Sequence, residues 1–209
     1  MLEFKKSKKL LNIDNNAKTI KGQKYGYMTG ILYLAPGVQS GFNVCPQASQ
    51  GCLKSCLYTA GHGAFSNVQE GRINKTRWYI QERESFLIQL RKEIKAFIIK
   101  AENKKLIPVV RLNGTSDISF ENTGIFEEFP SVQFYDYTKI YKRILSYVNG
   151  QMPSNYHLTY SLNEDNKDKA LNILKLGGNI AAVFRAHLPK SFNGYKVINA
   201  DESDLRFLD

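Results

Sequence analysis

The stretch Leu106-Ile-Pro-Val-Val-Arg-Leu112, followed at once by Asn113-Gly-Thr-Ser-Asp117, decides the predicted fold. A short, nearly continuous apolar run that ends in polar residues is typical of a strand buried in a parallel sheet. An earlier segment, residues 25–35, has the same character and ends at a Pro-Gly turn. Four later segments repeat the pattern, at residues 132–135, 156–160, 179–184 and 195–199. The chain therefore predicts six strands.

Helical periodicity lies between the predicted strands. In residues 68–101 apolar side chains recur at intervals of three to four, which predicts one long helix. Residues 138–148 and 166–176 predict two shorter helices. Strands that alternate with helices are typical of the α/β class, as a partial barrel or as a doubly wound sheet. We expect a partial (β/α)6-like TIM-type barrel with a cysteine-rich loop after its first strand.

All three cysteines of the chain, Cys45, Cys52 and Cys56, fall within twelve residues, spaced Cys-x6-Cys-x3-Cys. In a reducing compartment, an odd and clustered set of cysteines is typical of a metal-binding or catalytic site rather than of disulfides. Three thiolates leave one coordination position open on a tetrahedral metal or on one iron of a cubane cluster. The cysteines are therefore the predicted metal ligands.

Four interpretations of these thiols stay open on the residues alone. The first is a [4Fe-4S] cluster with one open iron, and the second is a structural zinc ion with His62 as its fourth ligand. The third is one catalytic thiolate beside two inactive cysteines. The fourth is three cysteines without a joint function. Their proximity argues against the last interpretation and leaves cluster and zinc undecided.

Polar side chains follow two neighbouring predicted strands at the point where each strand ends. Ligands of parallel α/β proteins bind at the carboxyl ends of strands, so these groups should face one rim. An Asp and a Lys at such a rim can hold the amine and carboxylate of a ligand, or a phosphate, whereas helix capping explains some of the residues taken singly. The predicted pocket residues are Arg111, Asn113, Ser116, Asp117, Tyr135, Asp136, Tyr137 and Lys139.

The net charge of +10 is concentrated at the start of the chain. Residues 1–24 hold seven lysines and two acidic residues, half of that charge. Such a segment either binds nucleic acid or is a solvated tail, and no recognised nucleic-acid motif accompanies it. We expect a basic segment, 1–24, followed by a single α/β domain, 25–209.

No apolar run approaches the length of about 18 residues that a membrane-spanning helix needs. The lysine-rich start also lacks the apolar core of a signal peptide. We therefore expect a cytoplasmic protein without a membrane partner. Phosphate-binding loops, dinucleotide fingerprints, zinc-protease motifs and nucleophile elbows are absent from the sequence.

Two further charged groups are candidates for a site. The first group, Arg72, Lys75 and Arg77, opens the predicted long helix just after the cysteines. It is placed to neutralise thiolates or to bind an anion, unless it is ordinary helix-surface charge. The second group lies near the C-terminus and predicts a cation site, an ion-pair network or a solvated turn; it is Asp201, Asp204 and Arg206.

Several blocks of the sequence resemble the phage gene product 88 family. They are the run from Ser40 to Gly61 around the cysteines, Arg111-Leu-Asn-Gly-Thr-Ser-Asp117, Phe134-Tyr-Asp-Tyr-Thr-Lys139 and Asn155-Tyr-His-Leu-Thr159. The resemblance extends from about residue 25 to the end. It implies an origin in phages or mobile elements, and so the cytoplasm of a host cell, but no particular activity.

A looser similarity connects the chain with radical S-adenosylmethionine enzymes, which carry three cysteines after the first strand of a (β/α) barrel. Their usual spacing is Cys-x3-Cys-x2-Cys, from which this chain departs, and their Gly-Gly-Glu segment is absent. The similarity implies a [4Fe-4S] cluster on Cys45, Cys52 and Cys56 whose open iron binds S-adenosylmethionine. The leading hypothesis is such an enzyme with an unknown substrate. The alternative is a non-enzymatic, zinc-stabilised accessory protein that binds nucleic acid or a host factor.

Overall fold

The computed structural model describes residues 1–13 and 17–209, without the side chains of residues 17 and 18. Asp14 and the side chain of Lys18, which the predicted basic segment includes, therefore lie outside the described residues. The strands are β1 Leu11–Asn12, β2 Tyr27–Leu32, β3 Ile107–Arg111, β4 Gln133–Thr138, β5 Tyr156–Ser161, β6 Ile180–Ala181, β7 Ser191–Phe192 and β8 Tyr195–Lys196. The helices are α1 Ala17–Lys21, α2 Gln50–Lys54, α3 Ser66–Gln81, α4 Arg83–Asn103, α5 Ile125–Glu128, α6 Tyr141–Val148 and α7 Lys167–Lys175.

Six strands form one sheet in the order β1-β2-β3-β4-β5-β6. β1 pairs antiparallel with β2, and β2 to β6 run parallel. Each connection between parallel strands contains a helix, which such crossovers usually require. Within the described part of the chain, β1 and β6 are the edges of the sheet, so it is open and no closed barrel forms. The predicted α/β class with a mostly parallel sheet is confirmed.

Alternation of side chains along the strands gives the sheet two unlike faces. Val110, Phe134 and Leu158 belong to the main apolar core, to which helices α3 to α7 all contribute. On the other face, Val109 and Tyr135 pack against Leu205. Residues 203–209, here called the C-terminal segment, therefore cover the face that the helices leave.

The predicted sixth strand at residues 195–199 is wrong. Its first two residues form β8, which pairs with β7 in a separate hairpin. Asn193 and Gly194 make the turn, and both have positive φ, 49° and 84°. A two-residue turn with positive φ at both positions favours Asn-Gly, because few other residues adopt that conformation without strain. The Asn-Gly pair was a hairpin signal in the sequence, and it removes these residues from the main sheet.

The sixth strand of the sheet comes instead from the basic segment. Leu10 and Leu11 lie in the main core. Glu93 of α4 accepts hydrogen bonds from the backbone N–H groups of Leu10 and Leu11, at 2.8 and 2.9 Å. Lys75 of α3 donates to the carbonyl of Leu10 at 2.9 Å. Residues 10–12 are therefore part of the fold rather than a solvated tail.

The predicted long helix is two helices, because α3 ends at Gln81 and α4 begins at Arg83. Glu82 between them has φ −134° and ψ 56°, outside the helical range. The indole of Trp78 donates across the break to Ser85 Oγ at 2.7 Å. The rings of Trp78 and Tyr79 both meet Phe86 edge to face. The break thus lets aromatic side chains from both helices pack into one core. The two shorter predicted helices are confirmed as α6 and α7.

Candidate functional site

Residues 43–58, here called the cysteine segment, lie against the carboxyl end of β3. The backbone N–H of Asp117 donates to the carbonyl of Val44 at 2.8 Å. The Cys45 thiol donates to the carbonyl of Thr115, with 3.6 Å between sulfur and oxygen. Because Thr115 and Asp117 directly follow β3, these bonds place the first cysteine at the edge where ligands of parallel sheets bind.

A second set of bonds ties the cysteine segment to the end of β5. Glu164 accepts hydrogen bonds from Ser49 Oγ at 2.8 Å and from the Gly51 N–H at 2.7 Å. Ser49 also caps α2 by accepting from the Cys52 N–H at 3.2 Å. These bonds, together with one from its own backbone, hold the pKa of Glu164 below its usual range. A Cβ atom at Gly51 would lie 2.7 Å from Glu164 Oε1, so a larger residue there would displace the Glu164 carboxylate from this position.

The three cysteines are free thiols and are half-buried. Burial raises the pKa of Cys45 to about 11, and the negative charges of Asp117, Cys56 and Cys52 contribute to the rise. The contributions of Cys52 and Cys56 mean that both lie within electrostatic range of Cys45. Without a metal, Cys45 is therefore protonated at neutral pH.

Nowhere in residues 1–13 and 17–209 are three His, Cys, Asp or Glu side chains placed to hold one metal ion together. The predicted fourth zinc ligand, His62, is exposed, and its ring lies 5.5 Å from that of Phe65. A zinc ion with Zn–S bonds of about 2.3 Å needs its sulfurs about 3.8 Å apart. A cubane cluster distributes its cysteine ligands over different irons, so its sulfurs lie farther apart than those around one ion.

Arg72 is the predicted basic residue that approaches the cysteines. Its guanidinium lies 4.9 Å from the ring centre of Tyr33 and 5.7 Å from that of Tyr58. Burial lowers the pKa of Arg72, while the charge of Cys56 raises it. The Arg72 Nη1 atom is buried and has no hydrogen-bond partner among the described residues. Lys75 and Arg77 turn away and bind backbone carbonyls of the N-terminal residues and of Ser40.

The predicted strand-end pocket divides in two. Asp136 of β4 points to the face opposite to that of Tyr135 and Tyr137, and Asn113, which lies beyond the end of β3, joins Asp136. On the helix side, the N–H and Nδ2 groups of Asn113 donate to both carboxylate oxygens of Asp136, at 2.8 and 3.0 Å. Ser116 Oγ donates to Asn113 Oδ1 at 2.9 Å. Burial raises the pKa of Asp136 to about 6, against the lowering effects of Arg143 and Arg111.

Asp117 belongs to the same buried network. It accepts hydrogen bonds from Thr138 Oγ1 and from the backbone N–H of Lys139, both at 2.8 Å. It also pairs with Arg143 at 2.9 Å, and Arg143 in turn holds Glu121 with two bonds. Arg143 was missed in the sequence, where it appeared as an ordinary charge of α6. These partners make Asp117 a structural residue of the strand ends.

Arg111, Tyr135 and Tyr137 lie on the opposite face and meet at Asp204. Asp204 Oδ2 accepts from Arg111 Nη1 and from the Tyr135 hydroxyl, both at 2.9 Å. Asp204 Oδ1 accepts from the Tyr137 hydroxyl at 3.1 Å. Arg206 pairs with Asp209 at 3.2 Å. Asp204 and Arg206 each form an ion pair, with Arg111 and Asp209 respectively, so the ion-pair interpretation of these two residues is confirmed. Asp201 is exposed.

A model of the family described as gene product 88 matches residues 4–209. The chain belongs to the gene product 88 family. The match covers nearly the whole chain and includes the cysteine segment, both strand ends and the C-terminal segment. The comparisons do not show similarity to radical S-adenosylmethionine enzymes, since no curated protein and no solved structure matches the chain. What the site does must therefore be argued from its own residues.

Two predictions about partners concern the surface. No helix in the described ranges is long and apolar enough to cross a membrane. Lys6 of the basic segment forms an ion pair with Glu82 at 2.5 Å, which offsets part of the segment's charge. Nucleic-acid binding by residues 1–24 stays a prediction.

Proposed function

We propose that this gene product 88 protein carries a [4Fe-4S] cluster on Cys45, Cys52 and Cys56 and binds a small ligand beside it. The observation that carries the proposal is the position of three free thiols at the carboxyl edge of a parallel sheet, with Cys52 and Cys56 within electrostatic range of Cys45. Bonds to the ends of β3 and β5 hold the segment there. When bound by three cysteines, such a cluster supplies one iron with an open coordination position.

The electrostatics of the segment suit a bound cation. Thiolates gathered in a half-buried site repel one another, which is part of why the pKa of Cys45 is raised. Metal binding replaces the thiol protons and removes that repulsion. Arg72 adds a positive charge next to Cys56, and its buried Nη1 is a donor for a thiolate or sulfide. Three thiolates plus a buried arginine thus favour an iron–sulfur cluster over a single zinc ion.

The more specific hypothesis is an enzyme of the radical S-adenosylmethionine type with an unknown substrate. The sequential strand order and the helices on one face support the partial-barrel form that such enzymes have. Of the predicted pocket residues, Lys139 alone has a side chain outside both described hydrogen-bond networks, and its charge acts on Glu164 at the cysteine segment. Lys139 is therefore the proposed partner for the carboxylate of S-adenosylmethionine.

Anaerobic purification tests the cluster directly. We expect brown protein with iron and labile sulfide in equal amounts. The single changes Cys45→Ser, Cys52→Ser and Cys56→Ser should each abolish it, and Ser55→Ala, a change in the same segment, should keep it. Colourless protein with one equivalent of zinc that His62→Ala removes would instead establish the zinc-stabilised accessory protein. Protein that binds neither metal refutes both.

The enzyme hypothesis has its own test. Titration of cluster-loaded protein with S-adenosylmethionine should show binding that Lys139→Ala weakens and Lys142→Ala, a neighbouring charge on α6, does not. Loaded protein that fails to bind S-adenosylmethionine would refute the enzyme type and leave the cluster standing.

A further inference from the structure

On the sheet face opposite helices α3 to α7, the buried hydrogen-bond donors outnumber the acceptors that the C-terminal segment supplies. The two oxygens of Asp204 already accept three bonds, from Arg111, Tyr135 and Tyr137. Arg111 Nε and Thr29 Oγ1 are also buried and have no partner among the described residues. Thr29 is 0% exposed and Arg111 6% exposed, so bulk solvent does not reach them.

Thr29 and Arg111 lie close together beneath the C-terminal segment. Ile31 of β2 pairs with Arg111 of β3, so Thr29 is the diagonal neighbour of Arg111 on the same face. Diagonal neighbours lie about 7–8 Å apart, within reach of a long side chain. A Cβ atom placed at Gly22 would be 3.2 Å from Thr29 Oγ1 and 3.7 Å from the Leu205 side chain. Thr29 and Leu205 therefore both lie next to Gly22, on the face where Asp204 binds Arg111.

A buried donor without an acceptor is costly, and native proteins rarely keep one without a reason. The guanidinium of Arg111 lies over the ring of Tyr137, with its carbon 4.6 Å from the ring centre. Asp204 accepts from Nη1 of that guanidinium, and Nε has no partner among the described residues, although arginine binds oxyanions best with two parallel bonds. A carboxylate has two oxygens to offer, whereas a phosphate has at least three.

We infer that this face is a second binding site, for the phosphate group of a small molecule, and that Asp204 occupies the phosphate position while the C-terminal segment covers it. Arg111, Tyr135 and Tyr137 bind the phosphate, and its additional oxygen accepts from Arg111 Nε or Thr29. The site lies on the sheet face, away from the cysteine segment, and does not depend on a metal there.

The charges around the face agree with a dianionic ligand. Arg111 and Arg206 are the cations, and both oppose the rise that burial and Asp204 cause in the pKa of Tyr137. Burial lowers the pKa of His157 to about 4, so this neighbour is neutral at physiological pH. Asp204 offsets the charge of Arg111, while Asp209 pairs with Arg206. A phosphate that displaces Asp204 supplies the same charge or more.

Calorimetric titration with inorganic phosphate tests the site. Asp204→Asn removes the competing charge, and Asp201→Asn, an exposed acid just before the C-terminal segment, is the control. We expect the Asp204→Asn protein to bind phosphate about tenfold tighter than the Asp201→Asn protein, because the competing carboxylate is lost; a tenfold change in affinity corresponds to about 1.4 kcal/mol. Adding Arg111→Gln should abolish the gain, and acetate should bind more weakly than phosphate. Equal phosphate affinity in the two single variants overturns the inference.

Hydrogen exchange of the unaltered protein decides the matter if Asp204→Asn fails to fold. Phosphate should speed amide exchange in residues 203–209 relative to sodium chloride at the same ionic strength, because it displaces Asp204. Exchange that is the same in both salts overturns the inference.

Discussion

Replacement of Arg143 by methionine should lower the free energy of unfolding far more than replacement of any surface arginine. The Arg143 side chain is 2% exposed. It donates to both carboxylate oxygens of Glu121, at 2.7 and 2.8 Å, to Asp117 at 2.9 Å and to the Tyr156 hydroxyl at 2.6 Å. Methionine fills much of the same volume and donates to none of them.

The magnitude follows from the two carboxylates that lose their cation. The side chains of Asp117 and Glu121 are 11% and 9% exposed, so water does not replace the arginine. Removal of one partner from a buried ion pair costs about 3–5 kcal/mol, because it leaves an uncompensated buried charge. For a chain of this length, each kcal/mol lowers Tm by roughly 2–4 °C, so we expect a fall of about 6–20 °C.

Urea unfolding followed by circular dichroism measures the loss, and Arg91→Met is the matched control. Arg91 pairs with Glu128 at 2.6 Å, but the two side chains are 28% and 34% exposed. Such a pair contributes about 0–1 kcal/mol. A loss below about 1 kcal/mol for Arg143→Met would refute the reasoning. Asp117 and its neighbours would then be available to a ligand after all.

Three further predictions concern single side chains. Glu164→Gln should increase proteolytic cleavage within the cysteine segment, because the side chain that holds Ser49 and the Gly51 N–H loses its charge. In the unaltered protein, cleavage of the cysteine segment should likewise increase as the pH falls through the lowered pKa of Glu164. Cys45, whose pKa burial raises to about 11, should react with iodoacetamide at pH 8 far more slowly in the folded Cys52→Ser/Cys56→Ser protein than in urea, and equal rates would contradict its burial. Burial also lowers the pKa of Lys75 to about 8, so between pH 8 and the usual lysine value of about 10.4 the unfolded chain binds more protons and stability rises with pH. Lys75→Met should remove that rise, which urea unfolding at about pH 7.5 and 9.5 would detect; a parallel pH dependence in both proteins would contradict it.

Five of the six predicted strands occur in the main sheet, because a buried parallel strand must be apolar along nearly its whole length and that requirement is visible in the sequence. The exceptions have physical causes. Residues 195–199 have the composition of a strand, but Asn193-Gly194 turns them back on β7. Leu11–Asn12 is too short and too close to lysines to predict a strand. It pairs with β2, and Glu93 and Lys75 of the helices bond to the adjoining backbone.

The candidate site was predictable in part. The cysteines and their position after the first parallel strand could be predicted, since both are properties of the linear chain. The role of the strand-end residues could not, because Asn113 and Asp136 find partners in each other and Arg111 finds Asp204, 93 residues later. Arg72 was a candidate because it follows the cysteines closely in the sequence, whereas Glu164 carried no signal except charge, and its contacts with the cysteine segment exist only in the fold.

The sequence by itself determined the α/β class, the parallel strands and the clustering of three thiols, because apolar periodicity and local spacing are properties of the linear chain. Only the tertiary structure decided which face each polar side chain occupies. Alternation along β4 sent Asp136 to the helix side, and the turn after β3 brought Asn113 to it in a hydrogen-bonded network. Alternation along β3 left Arg111, with an unpaired Nε, on the face that the C-terminal segment covers. These side chains are buried, and a polar group removed from water needs a hydrogen-bond partner within the fold, so the face that each one occupies determines its partner.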